Sequence, residues 1–228
     1  MSANLSAFDA DLFVKKSIES DENESPEKIS YLADETTIQY HKGDFSNEIG
    51  RHITKSKYFK ESEDKIEREV IEEETIGEFD LDRPNDDDDE DSDSDNDGNG
   101  RMSMSTAGEN FPFSEDGFTI YDFEYIGTKN YNGEEAYEIS FEPLKSGEDY
   151  IKGKALFTVK DSLFRRIEFT MSKKMTGMKH FEMAFNFDYI DNYRVPSEVY
   201  MKMHIKVILL INKSFEVKHK YYNFKINS

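Results

Sequence analysis

Cysteine is absent from the 228 residues. Disulfides, thiolate zinc sites, iron–sulfur clusters and cysteine nucleophiles are therefore excluded. Bases are outnumbered: Lys and Arg total 29 against 49 Asp and Glu, a formal net charge of -20. Binding a phosphate backbone needs the opposite balance, so no nucleic-acid partner is expected. Electrostatic docking on anionic lipid is disfavoured for the same reason. Long apolar runs are missing too. The longest, Val207-Ile208-Leu209-Leu210-Ile211, is far short of the roughly 18 residues that a spanning helix needs.

Met1 to Ser6 offer neither the basic start nor the apolar run of a secretory signal. With Met1 as the true start, the chain reads as cytoplasmic. As a piece of an exported precursor, it reads as a protein of the periplasm or cell envelope. Catalytic signatures are also lacking: there is no G-x-S-x-G, H-E-x-x-H, P-loop or dinucleotide glycine fingerprint. No catalytic residue, metal ligand or cofactor is assigned, and the chain is expected not to be an enzyme. The five histidines are scattered. His180, His204 and His219 fall on what read as adjacent strands, where a shared face would bring them together. Solvated imidazoles on a polar face are the plainer expectation. Arg165-Arg166 reads as cross-strand pairing with facing acids.

The apolar fraction is low, 36%, while aromatics reach 14%, with 18 Phe and 13 Tyr. An acidic segment that dilutes an aromatic-rich folded part accounts for both. From Glu78 to Asp97 there are twelve acids and one base, Arg83. So dense a charge cannot bury enough apolar surface to offset its ordering entropy. The chain thus divides into N-terminal strands over 1–81, a disordered acidic insert over 82–110, and a C-terminal antiparallel meander of the same domain over 111–228. Within the insert, Asp93, Asp95, Asp97 and Gly98 match the first half of a calcium loop. The twelfth position, where a bidentate Glu belongs, is Met104. A solvated, at most calcium-responsive linker is the expectation.

Alternation of period two is clearest near the C-terminus. Phe181, Met183, Phe185, Phe187 and Tyr189 alternate with polar or small residues up to a turn at Asp191-Asn192. Val199, Met201, Met203, Ile205, Val207, Leu209 and Ile211 follow, with the next turn at Asn212-Lys213 and a last strand from Phe215 to Ile226. Upstream, Tyr131-Asn132-Gly133-Glu134 signals a hairpin, and Lys160-Asp161-Ser162 another turn. Seven strands are expected after residue 115. Before the insert, strands are expected over 8–18, 29–40 and 49–58, with a bulge between Ile29/Tyr31 and Ile38/Tyr40. Glu61 to Glu74 reads as helix or loop. The fold class is mainly β with few short helices.

The Phe/Met/Ile stripe has two readings. It forms a closed core, or it lines a flexible apolar cavity, for which Phe and Met are suited. A family resemblance favours the second. Asn132-Gly133-Glu134-Glu135-Ala136-Tyr137-Glu138-Ile139-Ser140-Phe141-Glu142-Pro143, Gly153-Lys154-Ala155-Leu156-Phe157-Thr158-Val159 and Arg166-Ile167-Glu168-Phe169 resemble the C-terminal part of the outer-membrane lipoprotein-sorting (LolA/LolB/LppX-like) superfamily. The resemblance covers about half of the chain and implies a strongly curved antiparallel half-barrel. It also implies a non-enzymatic binding or carrier role for lipid or lipoprotein acyl chains in the bacterial cell envelope. The ligand-binding residues expected on this basis are Phe181, Met183, Phe185, Phe187, Val199, Met201, Met203 and Ile205. The alternative is a structural or protein-interaction β domain with a filled core.

Overall fold

The structure is a computed structural model and describes residues 8–20, 26, 28–62, 65–79, 111–114, 116–147, 150–207 and 211–227. The acidic insert and its half calcium loop lie outside the described residues. Ten strands form one antiparallel sheet. They are β1 (Lys28–His41), β2 (Asp44–Ser62), β3 (Lys65–Gly77), β4 (Tyr121–Tyr131), β5 (Glu134–Pro143), β6 (Ile151–Thr158), β7 (Phe164–Met171), β8 (Met178–Ile190), β9 (Tyr193–Val207) and β10 (Ile211–Asn227). There are two short helices, α1 (Ala10–Ser20) and α2 (Gly117–Ile120).

The sheet order is β3-β2-β1-β10-β9-β8-β7-β6-β5-β4. Every neighbour is a hairpin partner except β1 and β10, which join the start of the chain to its end. Among the described residues the edges β3 and β4 do not pair, so the curved sheet is a half-barrel and not a closed one. Three hairpins turn on two consecutive residues with positive φ: Lys42-Gly43, Asn132-Gly133 and Asp191-Asn192. That geometry matches the twist of the flanking strands. The Asn132-Gly133 and Asp191-Asn192 turns fall where the sequence places them.

Four expectations are corrected. Residues 8–18 do not form a strand, since Ala10–Ser20 is helix. Asp9 caps it, accepting a hydrogen bond from the Leu12 amide at 3.0 Å. The spacing that matters is Ala10, Val14 and Ile18, one helical face. Leu12, in phase for a strand, is 48% exposed. The Glu-rich stretch after Glu61 is neither helix nor loop but the edge strand β3. Its acids face bases on β2, with Lys55 opposite Glu72 and Lys57 opposite Glu69, and such pairs stabilise a sheet where the acids alone would not.

The parity change between Ile29 and Ile38 does not come from a bulge within β1, whose register against β2 is regular from Ile29 to Gln39. β1 buries one face near its start, at Ile29 and Ala33, and both near its end, at Ile38 and Gln39, where Phe45 packs on Tyr40 at 5.4 Å between ring centroids. The nearby irregularity is on β10, at Asn223, whose φ of 56° is the left-handed conformation typical of a bulge residue. Finally, β10 begins before Asn212-Lys213, since Ile211 already pairs with Val207.

Candidate functional site

The cross-strand register defines the inner face of the sheet. One row crosses all ten strands: Tyr125, Ile139, Ala155, Ile167, Phe185, Val199, His219, Glu35, Thr54 and Glu73. A second runs Phe123, Phe141, Gly153, Phe169, Met183, Met201, Val217, Thr37, His52 and Thr75. A third holds Phe181, Met203, Phe215 and Gln39. Residues directly opposite one another share a face, so the predicted stripe on β8 and β9 faces one side together.

This face has three zones. Over β4 to β8 it is plugged. Val14 of α1 is fully buried, and Phe13 meets Tyr137 and Phe157 edge-on at 5.3 and 5.5 Å. Phe113, from the segment before α2, packs against Phe123, Phe141, Phe157 and Phe164. Rings at these separations and tilts add to the gain from area burial. The second zone covers β8, β9 and β10. Phe181, Val199, Met201, Met203, Ile205, Phe215 and Val217 are all only half-buried there.

The eight predicted ligand residues therefore divide. Met183, Phe185 and Phe187 belong to the buried core. Phe181, Val199 and Met201 pack against that core while keeping part of their surface. Met203 and Ile205 are half-buried further along β9. Phe215 and Val217, which complete the patch from β10, were missed by the stripe reading. Their own alternation is in phase with β9, and only the register reveals that they face the same way.

The third zone, over β1 to β3 and part of β10, mixes polar groups with an aromatic cluster in which Tyr31 packs on Tyr58, Tyr221 and Phe224. Glu35 accepts hydrogen bonds from the Tyr58 hydroxyl at 2.7 Å and from the Arg68 guanidinium. Arg68 Nε also donates to Ser56 Oγ at 3.0 Å, and its guanidinium lies over the Tyr58 ring at 5.8 Å. Burial, the Glu35 carboxylate bonded to it and its charge all hold the Tyr58 hydroxyl well above the ordinary phenol range. His219 sits at the border with the apolar zone. Burial pushes its pKa down, Glu35 opposes that shift, and Arg68 adds to it. His52 Nδ1 lies 3.0 Å from Thr75 Oγ1, and His52 Nε2 lies 3.1 Å from Thr54 Oγ1.

The three histidines flagged in the sequence do not converge. His180 and His204 are direct partners across β8 and β9, whereas His219 pairs with Val199 on the opposite face. Among the described residues, no three His, Asp or Glu side chains are grouped so as to hold a metal ion. Arg166 forms an ion pair with Glu168 on its own strand at 3.2 Å and donates across the sheet to Asn186 at 2.7 Å. Arg165 reaches Glu134 at 3.6 Å and lies over the Tyr189 ring. Both arginines are engaged in the sheet's own polar contacts.

A family model described as a family of unknown function, DUF5686, matches residues 1–226. The chain belongs to the DUF5686 family. No curated protein matches it. Among solved structures, this DUF5686 chain is similar to a LolA superfamily protein from Nitrosomonas europaea at 12% identity and a TM-score of 0.41, covering 97% of this chain and 95% of that one. A DUF1329 family protein from Desulfovibrio piger aligns at 9% identity and 0.42, covering 95% and 92%. A putative outer membrane lipoprotein-sorting protein domain from Vibrio parahaemolyticus aligns at 12% and 0.39, covering 96% and 92%. At these scores the likenesses carry no argument about function, which rests on the sheet itself. Among the described residues of this DUF5686 chain, no helix is long and apolar enough to cross a membrane.

Proposed function

We propose that this chain is a non-enzymatic binding or carrier domain for acyl chains of lipids or lipoproteins, working in the bacterial cell envelope. The observation that supports this most directly is the middle zone of the inner face, whose apolar side chains the described residues leave only partly covered. There Phe181, Met201, Met203, Ile205, Phe215 and Val217 lie side by side, half-buried. Met183, Phe185, Phe187 and Val199 form the adjoining floor. Each methylene buried against such a surface is worth about 0.8 kcal/mol, and flexible Met side chains fit irregular chains. No proton transfer or covalent step is required.

The test is lipid loading. Purified protein is incubated with bacterial total lipid extract, re-isolated by size exclusion and analysed for bound lipid. Stoichiometric lipid is expected, and Met201→Asp, which puts a charge on the apolar floor, should abolish it without unfolding the plugged zone. Protein that elutes lipid-free, with Met201→Asp indistinguishable from the parent, would remove the reading. The plug of Val14, Phe111 and Phe113 favours the second reading, a structural or protein-interaction domain with a filled core, and a lipid-free outcome would select it.

A further inference from the structure

Both long inner-face rows change character at the same place. Val199 gives way to His219 and then Glu35, and Val217 gives way to Thr37 and then His52. The polar end is electrically satisfied from within. Arg68 is engaged by Glu35 and Ser56. The only fixed charges within the two rows are carboxylates, Glu35 and Glu73. Lys213, two residues before Phe215 on the same face of β10, has an interaction of its own. What the zone offers is hydroxyl groups: Thr37, and Thr54 and Thr75, which His52 bridges while its Nε2 lies 3.3 Å from Glu73 and its ring stacks on Phe79 at 5.6 Å. An anionic head laid there would find no lysine or arginine in the two rows, only Glu73 and the Arg68-paired Glu35, on a chain of net charge -20. An uncharged head bearing hydroxyls would meet partners that both donate and accept.

We infer that the trough takes a single-chain amphiphile with an uncharged, hydroxyl-bearing head of the monoacylglycerol type, its tail on Met201, Met203 and Val217 and its head across Thr37 and the His52–Thr75 pair. This rests on the acyl-chain reading above and adds the class of head group to it. Three strand spacings, roughly 14 Å, separate the β9 and β2 positions of one row. A tail seated over β8 to β10 therefore brings its head onto β1 and β2 without leaving the face.

The test compares monopalmitoylglycerol, palmitate and hexadecanol by native mass spectrometry and calorimetry, below their micellar concentrations and at a pH where palmitate is ionised. Monopalmitoylglycerol should bind about tenfold or more tightly than palmitate. Glu35→Gln, which leaves Arg68 without its carboxylate, should narrow that gap by strengthening palmitate. Thr37→Val, a near-isosteric change at a half-buried position, should narrow it by weakening monopalmitoylglycerol alone. Palmitate binding as tightly as monopalmitoylglycerol, or more so, would overturn the inference. If hexadecanol binds and monopalmitoylglycerol gains nothing over it, the head assignment fails while the acyl reading stands. If none of the three binds, both fall together.

Discussion

At the scale of single residues, close approach and burial decide what can be changed. A Cβ at Gly153 would lie 1.9 Å from the Glu168 carbonyl oxygen and 2.7 Å from the Phe169 Cα. Those are backbone atoms of β7 and cannot rotate away, so Gly153→Ala should force β6 and β7 apart. A loss of about 1–3 kcal/mol is expected in urea unfolding, and an unchanged midpoint would show that the pairing has slack. His219 sets a pH dependence. Its folded pKa is depressed, chiefly by burial, so the unfolded chain takes up a proton that the folded chain resists. The resulting stability is present above the ordinary histidine range and is lost as pH falls through the folded value. Melting temperature should therefore drop on acidification through that window, and His219→Gln should flatten this part of the profile. Neither feature was legible beforehand. Gly153 reads as an unremarkable strand residue until its partner is known, and the burial of His219 depends on β1, far away in sequence.

At the scale of elements, the sequence was most legible where the pattern is local. The alternation on β8 and β9 and the turns at Asn132-Gly133 and Asp191-Asn192 follow from neighbouring residues alone. Misreadings came where two periods overlap or where pairing supplies the stability. Phe8, Ala10, Leu12 and Val14 fit period two, but Ala10, Val14 and Ile18 fit a helix as well, and the Asp9 cap decides between them. Asp9→Ala should cost about 1 kcal/mol, seen as a lower melting temperature and less helical signal. An unaltered circular dichroism spectrum and melt would mean that packing of Val14 and Phe13 alone holds α1. The strand β3 was illegible for another reason: it is nearly all exposed, and its partner bases on β2 precede it in the chain. The β1–β10 pairing has no local signal at all.

At the scale of the molecule, the plugged zone of the inner face and its half-buried apolar zone on β8 to β10 are expected to be separable. Phe113 touches four strands' worth of rings within the plug. Phe113→Ala should cost about 3–5 kcal/mol of stability, while lipid affinity of the protein that remains folded stays close to the parent's. Loss of binding in step with stability would mean that the plug and the trough are one structure. The half-buried apolar patch was half legible: its β8 and β9 side chains stand in the sequence as a stripe, whereas its continuation onto β10 and its polar neighbours depend on the register of the whole sheet.

The most direct measurement uses methionines as reporters. Carbon-13 labelling of the nine Met methyl groups allows each to be followed by NMR as a long-chain n-alcohol is added. An alcohol isolates the apolar trough from any preference for the head group. The Met201 and Met203 resonances should shift saturably, with Met183, buried beside Met201 on β8, moving less. Titration that leaves Met201 and Met203 in place would contradict an open acyl-binding trough.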